Sequence, residues 1–162
     1  MSVVFLSLGS NEGDKLHHLS SAKELIAARL GKIEKISSIY ETEAWGKTDQ
    51  ASFYNQVISV HTSLDPVNCL YNVLQIEQDL GRVRIEKWGS RIIDIDILFY
   101  ENEIVLDSNL RIPHPYIEQR NFVLQPLVEI APNFIHPVWN LSMEDLLKNS
   151  KDQLEVKKIA AL

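Results

Sequence analysis

A single cysteine, Cys69, stands in a chain of 162 residues, so no internal disulfide can form. It falls within a helical pattern, as a small filler of core or surface. No apolar run is long enough to span a bilayer. The opening stretch MSVVFLSLGSNEGDK has neither the basic start nor the long apolar core of a secretory leader, and cytoplasmic residence is the expectation. Positive charge is also short. Sixteen Lys and Arg face 22 Asp and Glu, a net charge of −6. That balance argues against a general nucleic-acid binder, which draws on clustered cations. Internal repeats, low-complexity tracts and linkers are absent too. With an ordinary apolar content of 45%, these features predict a single domain over residues 1–162 with one core.

The positive charge that is present is concentrated. GRVRIEKWGSR, residues 81–91, holds Arg82, Arg84, Lys87 and Arg91 against one acid, Glu86. A basic segment on an acidic chain points to a small anionic ligand.

The chain alternates strand and helix patterns. Val3–Leu8 is a short apolar run stopped by GSNEGD, which reads as a buried strand. Leu16, Leu19, Ala22, Ile26 and Leu30 recur at helical spacing, with Gly31 as a stop. Residues 33–43 lean to strand, with Ile36, Ser38, Tyr40 and Thr42 on one side. AWGKTDQAS is a loop, and residues 53–62 alternate as a strand. Asp65 then Pro66 is a helix start: a capping carboxylate followed by proline at the first helical position. That helix runs to about Leu80, where Gly81 ends it, and a strand over 92–100 follows a polar loop. The order βαββαβ predicts an α+β, ferredoxin-like sandwich. Helices would cover one sheet face and leave the active site on the other. A short hairpin (104–106 with 111–112), a PHPYIEQRNF loop, a helix ended by Pro132 and a last helix capped by Ser142 form a C-terminal extension.

The strand GSRIIDIDILFY carries the chemistry. Successive side chains of a strand point to opposite faces. Ile93, Ile95, Ile97 and Phe99 therefore share one face, and Asp94 and Asp96 share the other, about 6–7 Å apart at the backbone. An unpartnered buried carboxylate is costly, so the aliphatic row belongs under the helices and the acids look out. Two readings stand. The acids are solvated on a half-exposed strand, or they form a hard-cation site, since Mg²⁺ takes one or two carboxylates plus substrate phosphates. The nearby arginines divide the same way, between surface salt bridges and phosphate forks. Acids for Mg²⁺ beside bases for phosphate are what phosphoryl transfer needs. Two decoys fall away. GKT at 46–48 lacks the glycine of a P-loop five residues earlier, where Glu41 stands, and GSNEGDK lacks G-x-G-x-x-G.

KWGSRIIDIDIL, residues 87–98, resembles the signature of the 6-hydroxymethyl-7,8-dihydropterin pyrophosphokinase family. LGSN (8–11), SSIYETEA (37–44), FYNQV (53–57), IEQDLGRVR (76–84), IPHPY (112–116) and RNFVLQPLVEIAP (120–132) resemble further family segments in the right order, covering about residues 3–137.

The resemblance implies transfer of diphosphate from MgATP to the hydroxymethyl group of a reduced pterin, with release of AMP, in folate biosynthesis. It implies that Asp94 and Asp96 bind two Mg²⁺ ions and face the pterin hydroxyl. Arg82, Arg91, His114, Tyr116 and Arg120 would contact the nucleotide phosphates or ribose, with Arg82 and Arg91 catalytic. Arg84 and Trp88 would ride a closing loop, and Ile97 would join the nucleotide contacts. Asn55 would hydrogen-bond the pterin, Phe53 and Phe122 would sandwich it, and Thr42, Ala44 and Trp45 would line its pocket. A flat heteroaromatic favours such stacking, and an Asn amide offers both donor and acceptor. Core packing is the alternative for the two phenylalanines, and a plain loop histidine for His114. Glu77 reads as a support for loop residues rather than a reactant.

Phe53 stands where many members carry Tyr, so a hydroxyl contact is lost there while stacking survives. TEAWG (42–46) replaces a more proline-rich segment, and Leu74 replaces a polar group. The segment after about residue 140 carries no assigned role. The rivals are a non-catalytic anion- or RNA-binding module and another Mg²⁺-dependent phosphoryl or nucleotidyl transferase. The expected partners are ATP and a reduced pterin, with no nucleic acid and no membrane. A monomer is expected, with a dimer as the alternative.

Overall fold

The structure, a computed structural model, describes residues 1–43, 51–81 and 92–160. Apolar runs and clear caps set its elements. Strand β1 (Ser2–Ser10) is followed by helix α1 (Lys15–Arg29). Asp14 caps that helix by accepting from the His17 amide. Strands β2 (Gly31–Ile36), β3 (Ile39–Thr42) and β4 (Phe53–Thr62) come next. Helix α2 (Pro66–Asp79) begins as the Asp-Pro pair predicts, with the Asp65 carboxylate accepting from the Asn68 amide and Pro66 in the first turn. Gly81 then takes a left-handed φ of 87° just past the helix end.

Strand β5 (Asp94–Tyr100) leads to a small hairpin of β6 (Val105–Leu106) and β7 (Arg111–Ile112). A 3₁₀ turn at Ile117–Gln119, helix α3 (Asn121–Ile130), helix α4 (Met143–Asn149) and strand β8 (Lys157–Ala160) complete the chain. Ser142 caps α4 as expected, with Glu144 and Asp145 in its first turn. No helix of the described residues is long and apolar enough to cross a membrane.

The main sheet is antiparallel, in the order β5-β1-β4-β3-β8, with β2 also pairing β4. One apolar layer joins Val4, Leu6, Leu8, Ile58, Val60, Ile95 and Ile97 to α1 and α2. A second layer lies on the opposite face, where Phe5, Val57 and Phe99 pack against α3 and α4. Helices therefore cover both faces, which corrects the expectation of one covered face. α3 and α4 close only one end of the second face. The other end carries Ser7, Gly9, Phe53, Asn55, Asp94 and Asp96.

Three further expectations are corrected. Phe99 leaves the row of Ile93, Ile95 and Ile97, because the β1–β5 register slips by one residue between Phe5 and Leu6. The extra residue, Leu98, turns the strand, and Phe99 joins the second layer. Leu16 is half exposed, so the buried stripe of α1 starts at Leu19. The strand expected over 33–43 breaks at Ser37–Ser38. There the Ser37 amide still donates to the Val57 carbonyl, but the Val57 amide donates to the Ser37 hydroxyl instead of its carbonyl, and that hydroxyl donates to the Ser38 carbonyl, so a side chain interrupts the ladder.

Candidate active site

Register places the candidate residues in rows across the second face. Asp94 of β5 pairs with Gly9 of β1, Gly9 pairs with Asn55 of β4, and Asn55 pairs with Tyr40 of β3. Asp96 pairs with Ser7, and Ser7 with Val57. Residues paired in register share a face. Asp94 and Asp96 thus look out beside Gly9 and Ser7, and Ile95 between them is buried beneath. Neighbouring strands lie about 4.8 Å apart, so Asp94 and Asn55, two strands from each other, are separated by about 10 Å at the backbone.

A buried carboxylate holds the strand under the two acids. Glu77 of α2 is only 4% exposed, and its Oε2 accepts from the Ile95 amide at 2.7 Å. It fixes the backbone between Asp94 and Asp96, and the loop that Glu77 is expected to support lies outside the described residues. His114 approaches from the far side, with Nε2 3.9 Å from Asp96 Oδ1. Its own amide donates to the Leu98 carbonyl, and its Nδ1 lies 2.8 Å from the Pro115 carbonyl oxygen. Donation from Nδ1–H to that carbonyl turns Nε2 toward the carboxylate.

The chemistry of this pair fits a hard cation. Two carboxylates project from alternate positions of one strand, Asp96 is 43% exposed, and an imidazole stands beside it. Mg²⁺ binds through one or two such oxygens and keeps its remaining positions for water and phosphate.

The ring-binding candidates gather at the other side of the row. Asn55 and Thr42 are nearly buried, and Asn55 Nδ2 donates to Thr42 Oγ1 at 3.1 Å. Phe53 pairs with Thr42 across β3 and β4. Gly9 leaves room for both neighbours: a Cβ there would lie 3.0 Å from Asn55 Oδ1 and 3.9 Å from Phe53 Cδ1. Arg120 sits between two rings, its guanidinium carbon 5.8 Å from the Tyr116 centroid and 5.9 Å from that of Phe122. The Ile97 side chain is buried in the α1–α2 layer, which leaves only its backbone to a ligand. Arg82, Arg84, Trp88, Arg91, Ala44 and Trp45 lie outside the described residues.

Several residues outside the candidate set support the pocket. Asn11 Nδ2 donates to the Ala51 carbonyl, and Lys15 Nζ donates to the Ser52 carbonyl while sitting 4.0 Å above the Tyr54 ring. The Ser52 hydroxyl donates to Glu41. Together these fix the chain just before Phe53 and Asn55. On α3, the Glu129 carboxylate accepts from the Ser38 amide, the Ser38 hydroxyl and the Tyr40 hydroxyl. Burial pushes the Glu129 carboxyl up, but these hydrogen bonds and the Lys158 charge outweigh it and hold the group below its usual range.

The sequence model of the 7,8-dihydro-6-hydroxymethylpterin-pyrophosphokinase family matches residues 5–132. A 2-amino-4-hydroxy-6-hydroxymethyldihydropteridine pyrophosphokinase from Aquifex aeolicus is 43% identical over 145 residues, covering 90% of both chains. One from Methylorubrum extorquens is 46% identical over 136 residues, covering 83% of this chain and 86% of that one. A crystal structure of a triple-mutant HPPK-DHPS from Plasmodium falciparum superposes with a TM-score of 0.77 at 21% identity. It shares the fold, and this chain, covered to 91%, spans 44% of that longer one. The match over most of the chain, together with a half-exposed Asp94 in register with a strand glycine and a buried Asn and a half-exposed Asp96 two residues on, places the chain in the 7,8-dihydro-6-hydroxymethylpterin-pyrophosphokinase family.

Proposed function

We infer that the chain transfers diphosphate from MgATP to the hydroxymethyl group of 6-hydroxymethyl-7,8-dihydropterin, releasing AMP, a step of folate biosynthesis. One observation carries the reading within the family. The Asp94–Gly9–Asn55 row sets Asp94, the carboxylate that would bind the cation, about 10 Å from the amide that would meet the pterin edge. A diphosphate bridging the two can span that gap.

Asp94 and Asp96 would hold Mg²⁺, two ions in this reading. The metal would neutralise polyphosphate charge and polarise the phosphoryl oxygens. Arg82, Arg91, His114, Tyr116 and Arg120 would orient the nucleotide, and Arg84 and Trp88 would cover it with the Ile97 backbone. Phe53 and Phe122 would stack on the ring, Asn55 would read its edge, and Thr42, Ala44 and Trp45 would line its pocket. The hydroxyl oxygen attacks the β-phosphorus as the bond from that phosphorus to the AMP oxygen breaks. The hydroxyl proton leaves to Asp96 or to water. Positioning and charge do most of this work.

The layout β1-α1-β2/β3-β4-α2-β5, with strand order β5-β1-β4-β2/β3, supports a ferredoxin-like core to which α3, α4 and β8 are added. Residues 1–162 would act as a single domain, as a monomer in the cytoplasm. The test is product analysis after incubation with MgATP and the pterin. Pterin-dependent AMP supports the reading. ADP would indicate monophosphate transfer, free diphosphate would indicate nucleotidyl transfer, and either would overturn it.

A further inference from the structure

Helix α3 opens without a cap of its own. Its N-cap residue, Arg120, makes no side-chain hydrogen bond to the first turn, and that turn holds no acid. The missing acceptor comes from 31 residues further along: Asp152 Oδ2 accepts from the Asn121 amide at 2.9 Å. The Asp152 carbonyl accepts from Asn121 Nδ2 at 3.1 Å. Asp152 is itself fixed, because its amide donates to Ser150 Oγ and its Oδ1 accepts from the Leu154 amide. The residues on either side of Asn121 are Arg120 and Phe122, the nucleotide and ring candidates.

Beyond Leu154 the chain crosses to the sheet edge and pairs as β8. Lys157 meets Glu41, Lys158 meets Tyr40, and Ala160 meets Ile39. The row Asp94–Gly9–Asn55–Tyr40 therefore ends on Lys158. Thr42, which holds the Asn55 amide, is the last residue of β3. One short segment thus grips α3, which presents Phe122, and β3, which presents Thr42 and pairs with the strand carrying Phe53 and Asn55. It lies wholly outside the residues 5–132 matched by the family.

We propose that residues 150–160 are a positioning strap for the substrate pocket, with Asp152 aiming Arg120 and Phe122 through the α3 cap and β8 bracing Thr42 and Asn55 through β3. The inference rests on the functional reading above. A side-chain acceptor at a helix N-terminus is stabilising, and without it the first turn frays. Fraying here would loosen Arg120 and Phe122 together while leaving Asp94 and Asp96 in place.

The experiment compares Asp152→Ala, Asp152→Asn and the wild-type chain by steady-state kinetics well below the melting temperature. Hydrogen exchange at the Asn121 amide is followed in parallel. Asn retains an acceptor oxygen, whereas Ala does not. Asp152→Ala is expected to raise the pterin KM through Phe122 and the ATP KM through Arg120, each by up to about tenfold, the scale of one lost cap, with kcat little changed. Asp152→Asn should reverse most of both rises and keep the Asn121 amide protected. A lower melting temperature with unaltered KM values in Asp152→Ala would make the strap merely structural and overturn the proposal. So would equal KM rises in the Ala and Asn variants. Exchange reads the cap without turnover. Failure of the wild-type chain to form AMP would therefore sink the functional reading, whereas an unprotected Asn121 amide in the wild type would sink the strap.

Discussion

Replacing Gly9 with alanine probes the pocket at one atom. Gly9 lies within β1 at a φ outside the left-handed region, so alanine meets no backbone strain. Its Cβ would meet Asn55 Oδ1 at 3.0 Å, a few tenths of an ångström inside ordinary contact. The Asn55 amide is 5% exposed and tied to Thr42 Oγ1, so it yields only by stretching or losing that bond. A net intramolecular hydrogen bond is worth about 0.5–1.5 kcal/mol. Gly→Ala recovers about 0.4–1 kcal/mol by restricting the unfolded chain. The two nearly cancel, and unfolding free energy should move by less than about 1 kcal/mol. Substrate binding has no such offset. With Asn55 reading the pterin edge as proposed, a displaced amide would leave that edge imperfectly matched, at about 1–3 kcal/mol, which is roughly a five- to 150-fold rise in the pterin KM. The ATP KM should stay within about twofold, because Asp94 and the nucleotide candidates are untouched. AMP release at varied pterin and at varied ATP measures both constants. A pterin KM unchanged in a folded variant, or equal rises in both constants, would refute the placement of Asn55 against the ring.

Asp94→Asn and Asp96→Asn should each lower turnover by orders of magnitude, with circular dichroism unchanged, since both side chains are half-exposed. Glu77→Ala should cost roughly 1–3 kcal/mol by orphaning the Ile95 amide and lower the melting temperature by several degrees, whereas Glu77→Gln, which keeps an acceptor, should recover much of it. His136 is buried, and its Nδ1 accepts from the Val138 and Trp139 amides, which only an unprotonated Nδ1 can do. Burial lowers its pKa from 6.5, with Glu118 opposing more weakly. The folded state then binds fewer protons than the unfolded one. Its stabilisation is full above pH 6.5 and is lost as pH falls below that value through the depressed folded pKa. Denaturant unfolding between pH 7.5 and 5 should show that slope, and His136→Gln should remove it.

The elements were legible where local chemistry decides them. Asp65 with Pro66, Ser142, and the alternating run Phe53–Thr62 each announce their structure in a few residues. The shared face of Asp94 and Asp96 followed from the two-residue strand period alone. What escaped depended on distant partners. The Phe99 bulge is set by the register with β1, and the break at Ser37–Ser38 by hydroxyls that reach β4 and α3. The pocket supports were hidden for the same reason. Asn11 and Lys15 act on carbonyls 40 and 37 residues away, and no local pattern marks them. Asp152 reads as one more polar residue until α3 is seen to lack a cap.

The proposed chemistry requires Asp94 and Asp96 to bind a divalent cation against a polyphosphate. Manganese binding, followed by electron paramagnetic resonance in the presence of a non-hydrolysable ATP analogue, tests that directly. Tight, analogue-dependent Mn²⁺ binding by the wild-type chain, weakened at least about tenfold in Asp94→Asn and in Asp96→Asn, is the predicted result. Equal affinity in all three proteins would contradict it.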